Sequence, residues 1–354
     1  MMLSVKLLEL GLDVFFQQQL LAEELPTMVP VRVMNVHRSG LQIAGDDIEQ
    51  HIELSGSDYQ LNLTVGDWAL FDTCMQRLVR RLERKSLFKR RAPGADRREQ
   101  LIAANVDTLF IVSSCNPDFN EARLERYLAI AREARVMAVI VLTKADLVDD
   151  ARDFVQRASK LASGVQVEAV NALKIEKLTC LKPWLQSGQT IALLGSSGVG
   201  KSTLTNTLLG LQEIATQSIR QDDAKGRHTT TSRSMHQVPG GAWLLDTPGM
   251  RELQLVDVKT GLDGVFDEIS TLGQDCRFAD CGHTNEPGCK IQAAIDSGKI
   301  DKERLSRWRK LAREEALNKA TIAERRARDK SFGRMCKNAI NEKNAKKTPE
   351  TIQK

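Results

Sequence analysis

TIALLGSSGVGKSTLTNTL, Thr190 to Leu208, runs an apolar strand into a glycine-rich turn and then into a helical pattern. Strand, loop and helix in that order are the setting a phosphate-binding loop needs. The run Gly195, Ser196, Ser197, Gly198, Val199, Gly200 can wrap its N–H groups around phosphate oxygens because glycine tolerates the tight backbone. Lys201 then reaches the β and γ oxygens, Ser202 offers a hydroxyl to Mg²⁺, and Thr203 follows in the first helical turn. The chain is expected to bind a nucleoside triphosphate with magnesium.

Working outward, the next strand pattern, AWLLD, ends in Asp246-Thr-Pro-Gly249. An aspartate there would hold the metal through water, and the amide of Gly249 could sense a γ-phosphate. Between the two lies GRHTTT, residues 226–231, placed where a switch loop supplies a metal-binding threonine, and Thr230 is chosen from three neighbours. Upstream, DTLFIVS (107–113) and VMAVIVL (136–142) are continuous apolar runs suited to strands buried on both faces of a parallel sheet, with a helix expected around 121–135. Further strands are expected at 165–170, 190–194 and 242–245, which makes an α/β domain.

The second of those runs ends in Thr143-Lys144-Ala145-Asp146. The Asp146 carboxylate can accept from the N1 and N2 donors of guanine, which favours GTP and GDP over adenine nucleotides. Thr143 stands where asparagine is usual: it keeps a hydroxyl to brace the loop but lacks the carboxamide. Asn171-Ala172 follows the next strand, where a Ser-Ala pair would back the base. Base loop, backing loop, phosphate loop, switch and aspartate therefore occur in a circularly permuted order. Such a cut is tolerable because all five loops belong to the carboxyl edge of one parallel sheet.

The flanking regions read differently. Residues 3–22 suggest one short amphipathic helix, an appendage. From Val29 to about Arg84, alternation at Val29, Val31 and Val33, and again at Tyr59, Leu61, Leu63 and Val65, predicts some five short strands and an OB-like β-barrel. Near the other end, Cys276, Cys281, His283 and Cys289 supply three thiolates and an imidazole within one short stretch, the donor set of a closed structural Zn²⁺ site. Leu305, Trp308, Ala312 and Ala316 share one expected helix face beyond it. Of the seven cysteines three crowd around His283, which argues for metal over a disulfide framework.

Hydrophobic residues make up 42% of the chain and charged residues 27%, the balance of a folding soluble protein and not of a disordered one. No apolar run is long enough for a membrane span, and polar residues interrupt the first 25 positions, so neither a membrane partner nor a signal peptide is expected and the cytoplasm is the expected location. The net charge of +5 is uneven. Residues 299–354 hold 18 Lys and Arg against eight Asp and Glu, and residues 77–98 hold ten against two. Two basic clusters on a near-neutral body suggest a polyanionic partner; a solvated helix face is the plainer alternative for either.

Permuted order, GSSGVGKST, GRHTTT, DTPGMRE, an N-terminal barrel and CRFADCGHTNEPGC together resemble the RsgA (YjeQ) family of bacterial small-ribosomal-subunit-dependent GTPases, over about residues 30–315. The resemblance implies an OB domain, a permuted GTPase domain and a zinc domain that bind the 30S subunit and its 16S rRNA late in maturation. The expected divisions are a helical extension at 1–28, the barrel at 29–92, the GTPase domain at 93–255 and a zinc-binding, mostly helical region with a basic tail at 256–354; a monomer is expected. Met250 follows Gly249 where many GTPases carry glutamine, and it cannot orient water. His228 is the candidate by resemblance and by chemistry, beside Lys201 as the second catalytic residue. The rival reading is a nucleotide-gated RNA-binding module with vestigial hydrolysis.

Overall fold

A computed structural model describes residues 4–37, 39–54, 56–91, 99–210, 233–246 and 258–319. Its centre is a parallel sheet of β8 (Thr108–Ser114), β9 (Met137–Thr143), β10 (Gln166–Ala169), β11 (Thr190–Gly195) and β13 (Trp243–Asp246), in the order β10-β9-β8-β11-β13. Every residue of β8 is buried, as the unbroken apolar run predicts for a central strand. Its side chains alternate between two cores. Leu109 and Ile111 pack on the face covered by α3 (Glu121–Glu133), with Leu124 and Leu128. Phe110 and Val112 pack on the opposite face with Leu204 and Leu208 of α5 (Lys201–Leu208). Between α3 and α5 along the chain, α4 (Arg152–Ser159) follows β9.

Not every strand followed the sequence patterns. β12 (Arg233–Gln237) lies antiparallel to β13 and, through Asn35↔Ser234 and Val36↔Arg233, joins the sheet to β1 (Met28–Val36). β1 also pairs with β2 (Gly40–Ala44) and β4 (Trp68–Asp72); β3 (Glu49–Glu53) adds to β2 and β5 (Arg77–Arg81) to β4. The N-terminal order is thus β3-β2-β1-β4-β5, around a small core of Val31, Val33, Leu41, Ile43, Ile52, Ala69, Phe71 and Leu78. The strand expected across Tyr59 to Val65 is not there. Gly56–Leu61 form a 3₁₀ turn, Asn62 takes a left-handed φ of 46°, and the Asp67 carboxylate accepts from the Thr64 amide at 2.7 Å. Beyond Arg84, where the barrel pattern ends, β6 (Leu87–Arg91) and β7 (Glu99–Ala104) pair as an antiparallel hairpin that the sequence patterns did not single out.

The N-terminal segment is neither one helix nor an appendage. It forms α1 (Val5–Glu9) and α2 (Val14–Gln17), broken at Gly11, whose φ of 92° and close approach to the Gly188 carbonyl exclude a side chain. Leu12 and Phe16 are buried, and Phe16 packs 5.9 Å from the Trp68 ring. Arg32, 2% exposed, donates to the Leu10 carbonyl, to Thr190 Oγ1 at 2.7 Å and to the Asn105 carbonyl at 3.4 Å. Burial lowers the Arg32 pKa to about 10, and the charges of Asp107, Asp13 and Asp67 oppose that shift.

Beyond the GTPase sheet come α6 (Lys259–Val265), α7 (Asp267–Gln274), α8 (Lys290–Asp296) and α9 (Lys302–Lys319). Gly261 lets α6 sit directly on the Ala129 carbonyl of α3. The face of α9 differs from the expected one: Leu305, Leu311 and Glu315 are buried, Trp308 and Ala312 are half-buried, and Ala316 is exposed. The reason is charge. Glu125 of α3 has no exposed side-chain surface and accepts from Arg304 and Arg307 of α9, each at 2.9 Å, and this turns the helix. Much of the other basic cluster is also paired internally, as Arg80–Glu24, Arg84–Asp67, Lys85–Asp13 and Lys89–Glu99. Among the described residues no helix is long and apolar enough to cross a membrane.

Candidate nucleotide site and metal centre

The chain order reverses direction at β8: β9 and β10 lie to one side, β11 and β13 to the other. A crevice opens at such a switch point, outside the carboxyl ends of the strands. In register, Ser114 lies opposite Thr143 and Val112 opposite Gly195, so the loops after β9 and β11 face each other across the end of β8. The phosphate loop takes the conformation its glycines permit, with φ of 81° at Gly198 and 89° at Gly200. Val199 points into the core at 2% exposure, while Ser197 and Gly198 stay exposed and Ser202 and Thr203 are half-buried at the start of α5. The Lys201 ammonium donates to the Ser196 carbonyl, closing the loop on itself.

The base loop is tied to this turn. Thr143 Oγ1 lies 2.6 Å from the Val199 carbonyl oxygen and 3.1 Å from that of Ser113, and Lys144 Nζ donates to the Gly198 carbonyl at 2.9 Å. Lys144 itself sits at a left-handed φ of 59°, which turns the chain into the short 3₁₀ turn that presents an exposed Asp146. In the backing loop the Asn171 side chain accepts from the Leu173 amide at 2.9 Å, and Thr207 of α5 donates to the Ala172 carbonyl at 2.7 Å. Thr143, Lys144, Asn171, Ala172 and the phosphate loop therefore form one connected unit. Asp246 ends β13 opposite Ser234. His228, Thr230 and Gly249 lie outside the described residues.

The second site is the cysteine cluster. The ligand atoms of Cys276, Cys281, His283 and Cys289 all lie within 4.8 Å of one another. Cys276 Sγ is 3.6 Å from His283 Nδ1 and 3.9 Å from Cys289 Sγ, and Cys289 Sγ is 3.7 Å from His283 Nδ1. Four-coordinate zinc with Zn–S bonds of about 2.3 Å sets its sulfurs about 3.8 Å apart, so the cluster is compatible with that ion. For Cys276 burial works against the thiolate, but the Lys290 and Ile291 amides at the start of α8, together with hydrogen bonds from Cys289 and Cys281, outweigh it and lower the pKa. Burial lowers the His283 pKa, which favours the neutral ring a metal needs.

Residues that spacing alone did not single out shape this loop. Glu286 accepts from the amides of Gly282 at 3.0 Å and Thr284 at 2.6 Å. Arg309 of α9 donates to the carbonyls of Gly282 and His283, and Gln292 of α8 to that of His283. The Asn-Glu-Pro-Gly turn is a sequence signal for Glu286. Arg309 carries none, because its partner lies 26 residues away.

A phosphate loop, a base loop and a backing loop in permuted order on one sheet edge define a circularly permuted GTPase. A family model described as RsgA GTPase matches residues 81–256. A second model, ABC transporter, matches 180–343, a stretch that includes the phosphate-binding loop found in many ATPases. The chain is 50% identical to "Small ribosomal subunit biogenesis GTPase RsgA 2" of Vibrio vulnificus over 97% of each chain, and 48% identical to a protein named "Small ribosomal subunit biogenesis GTPase RsgA" in Mesorhizobium japonicum over 89% of this chain and 91% of that one. It belongs to the RsgA GTPase family. Its fold is similar to the crystal structure of YjeQ from Thermotoga maritima, with a TM-score of 0.59 and 23% identity, covering 80% of this chain and 97% of that one. It is also similar to that of YloQ, described as a circularly permuted GTPase, at 0.57 and 22%, covering 83% and 97%.

Proposed function

We propose that this GTPase binds the small ribosomal subunit and assists its late maturation, hydrolysing GTP to GDP and phosphate with stimulation by the subunit. The observation that carries this is the 50% identity, over 97% of both chains, with a relative named for that role. In this reading Asp146 accepts from the guanine edge, with Lys144, Asn171 and Ala172 around the base. The phosphate loop from Gly195 to Thr203 holds the phosphates, and Lys201 neutralises charge that grows on the γ-phosphoryl group. Ser202, Thr230 and Asp246 would hold Mg²⁺, which would supply positive charge to the phosphates, and Gly249 would sense the γ-phosphate. His228 orients the water, since Met250 offers no hydrogen bond.

We further assign one structural Zn²⁺ to Cys276, Cys281, His283 and Cys289. The order β3-β2-β1-β4-β5 supports an OB-like barrel, opened between β3 and β5. Divisions at 1–28, 29–92, 93–255 and 256–354 describe the chain as working units, with the β6–β7 hairpin spanning the second boundary. Contacts to 16S rRNA are assigned to the barrel and the basic C-terminal region, where Lys302, Lys310 and Arg313 of α9 remain exposed. We assign the protein to the cytoplasm, as a monomer. The alternative of a binding module with vestigial hydrolysis is not favoured, because the relatives are named as GTPases. Co-sedimentation with isolated 30S particles tests the proposal: retention in a non-hydrolysable GTP analogue and release in GDP is expected, and equal behaviour in both would refute it.

A further inference from the structure

A threonine hydroxyl carries one hydrogen. That of Thr143 faces two backbone acceptors, the carbonyls of Val199 at 2.6 Å and Ser113 at 3.1 Å, so its hydrogen is committed to the backbone. The side chain is 1% exposed. Its remaining flank is closed by Gly200, where an added Cβ would come 3.1 Å from Thr143 Oγ1 and 3.4 Å from its Cβ. Thr143 is therefore wedged beneath the phosphate loop, and no donor from it can reach a base lying outside.

Guanine presents donors at N1 and N2 and acceptors at O6 and N7. Asp146 is an acceptor only, so it can meet the donors and neither acceptor. The ammonium of Lys144, the other polar chain of this loop, is drawn toward the phosphate loop, where it donates to the Gly198 carbonyl at 2.9 Å. An asparagine at 143 would carry two N–H donors, enough to hold the Val199 carbonyl with one and offer the other to the base.

We propose that Thr143 is a positioning residue that clamps the base loop to the phosphate loop without contacting the nucleotide, so that this site selects guanine without reading N7. The inference rests on the placement of the base at residues 143–146 proposed above. It is tested by equilibrium binding, in Mg²⁺, of GTP, ATP and 7-deaza-GTP, in which N7 is replaced by C–H. The wild-type chain should bind GTP and 7-deaza-GTP within about twofold of each other. Thr143→Asn, of nearly equal volume, should gain a preference for GTP of about two- to tenfold, the worth of one added hydrogen bond. Thr143→Val, which removes only the hydroxyl, should weaken both guanine nucleotides in the same proportion. A wild-type chain that binds 7-deaza-GTP about tenfold more weakly than GTP, or a Thr143→Val variant that changes the ratio, would overturn the proposal. ATP binding as tightly as GTP would overturn the base-loop placement, and the proposal with it.

Discussion

The Lys201 ammonium donates to the Ser196 carbonyl of its own loop. A γ-phosphate would replace that neutral acceptor with a charged one, so the contact strengthens as negative charge develops. Lys201→Ala should lower kcat for GTP hydrolysis by about 10²- to 10³-fold, as loss of one such donor does, with little change in the thermal midpoint. A wild-type rate would contradict the role. Asp146 is exposed beyond the carboxyl end of β9, and Asp146→Asn replaces an acceptor of two hydrogen bonds by a group with one acceptor oxygen and a donor. GTP affinity should fall by about ten- to a hundredfold, the scale of hydrogen bonds to a charged group, while xanthosine triphosphate gains relative to GTP. Competition binding with the two nucleotides reads both effects, and an unchanged preference would mean that the base lies elsewhere.

The elements legible in the sequence were those whose burial follows one rule. β8, β9 and β11 are apolar on both faces, and α5 follows directly from the phosphate loop. β12 was illegible because Met235 is the only apolar residue in Arg233–Gln237; position between two paired strands makes it a strand, and no pattern of its own does. The Tyr59 to Val65 alternation misled because Tyr59 is 65% exposed and its segment coils back toward Asp67. On α9, period alone pointed to Ala312 and Ala316, whereas the buried carboxylate of Glu125 draws Arg304 and Arg307 inward. That Thr143 and Lys144 meet the phosphate loop, and that Cys276, Cys281, His283 and Cys289 cluster, follows from the order and spacing of the motifs, but the Arg309 contact does not.

Two predictions belong to elements. The segment after α2 is anchored by Glu24, whose pKa lies below the ordinary value of 4.5 because Arg80 donates to it. A depressed carboxyl contributes stability that is fully present above that unperturbed value and lost as pH falls through the lower value of the folded chain. Arg80 is 37% exposed, so solvent screening limits the pair to at most about 1 kcal/mol. The Tm of the wild type should exceed that of Glu24→Gln at pH 7, and the gap should close as pH falls below 4.5; a constant gap would contradict the pairing. For the metal cluster, elemental analysis should find one zinc per chain, and Cys281→Ser should lose it. Proteolysis should then attack residues 258–319 while GTP binding persists, because the GTPase sheet has its own core. Zinc-free protein with unaltered protease resistance would contradict a structural role.

At the scale of the whole molecule the N-terminal strands and the GTPase sheet form one continuous ladder through β12 and β1. Arg32 ties the N-terminal segment to Thr190, the first residue of the strand that leads into the phosphate loop. The C-terminal helices are held to α3 by the Glu125 ion cluster and by the close seat of Gly261. A large partner that grips the barrel and the C-terminal region would therefore load both sides of the nucleotide site through buried, directional contacts. Contact with rRNA phosphates should fall steeply with salt. The most direct test is the rate of GTP hydrolysis by this chain alone and with purified 30S subunits at low salt, with Lys201→Ala as control. Acceleration of at least about tenfold, absent in the control, is predicted; the same rate with and without subunits would contradict a GTPase that acts on the small ribosomal subunit.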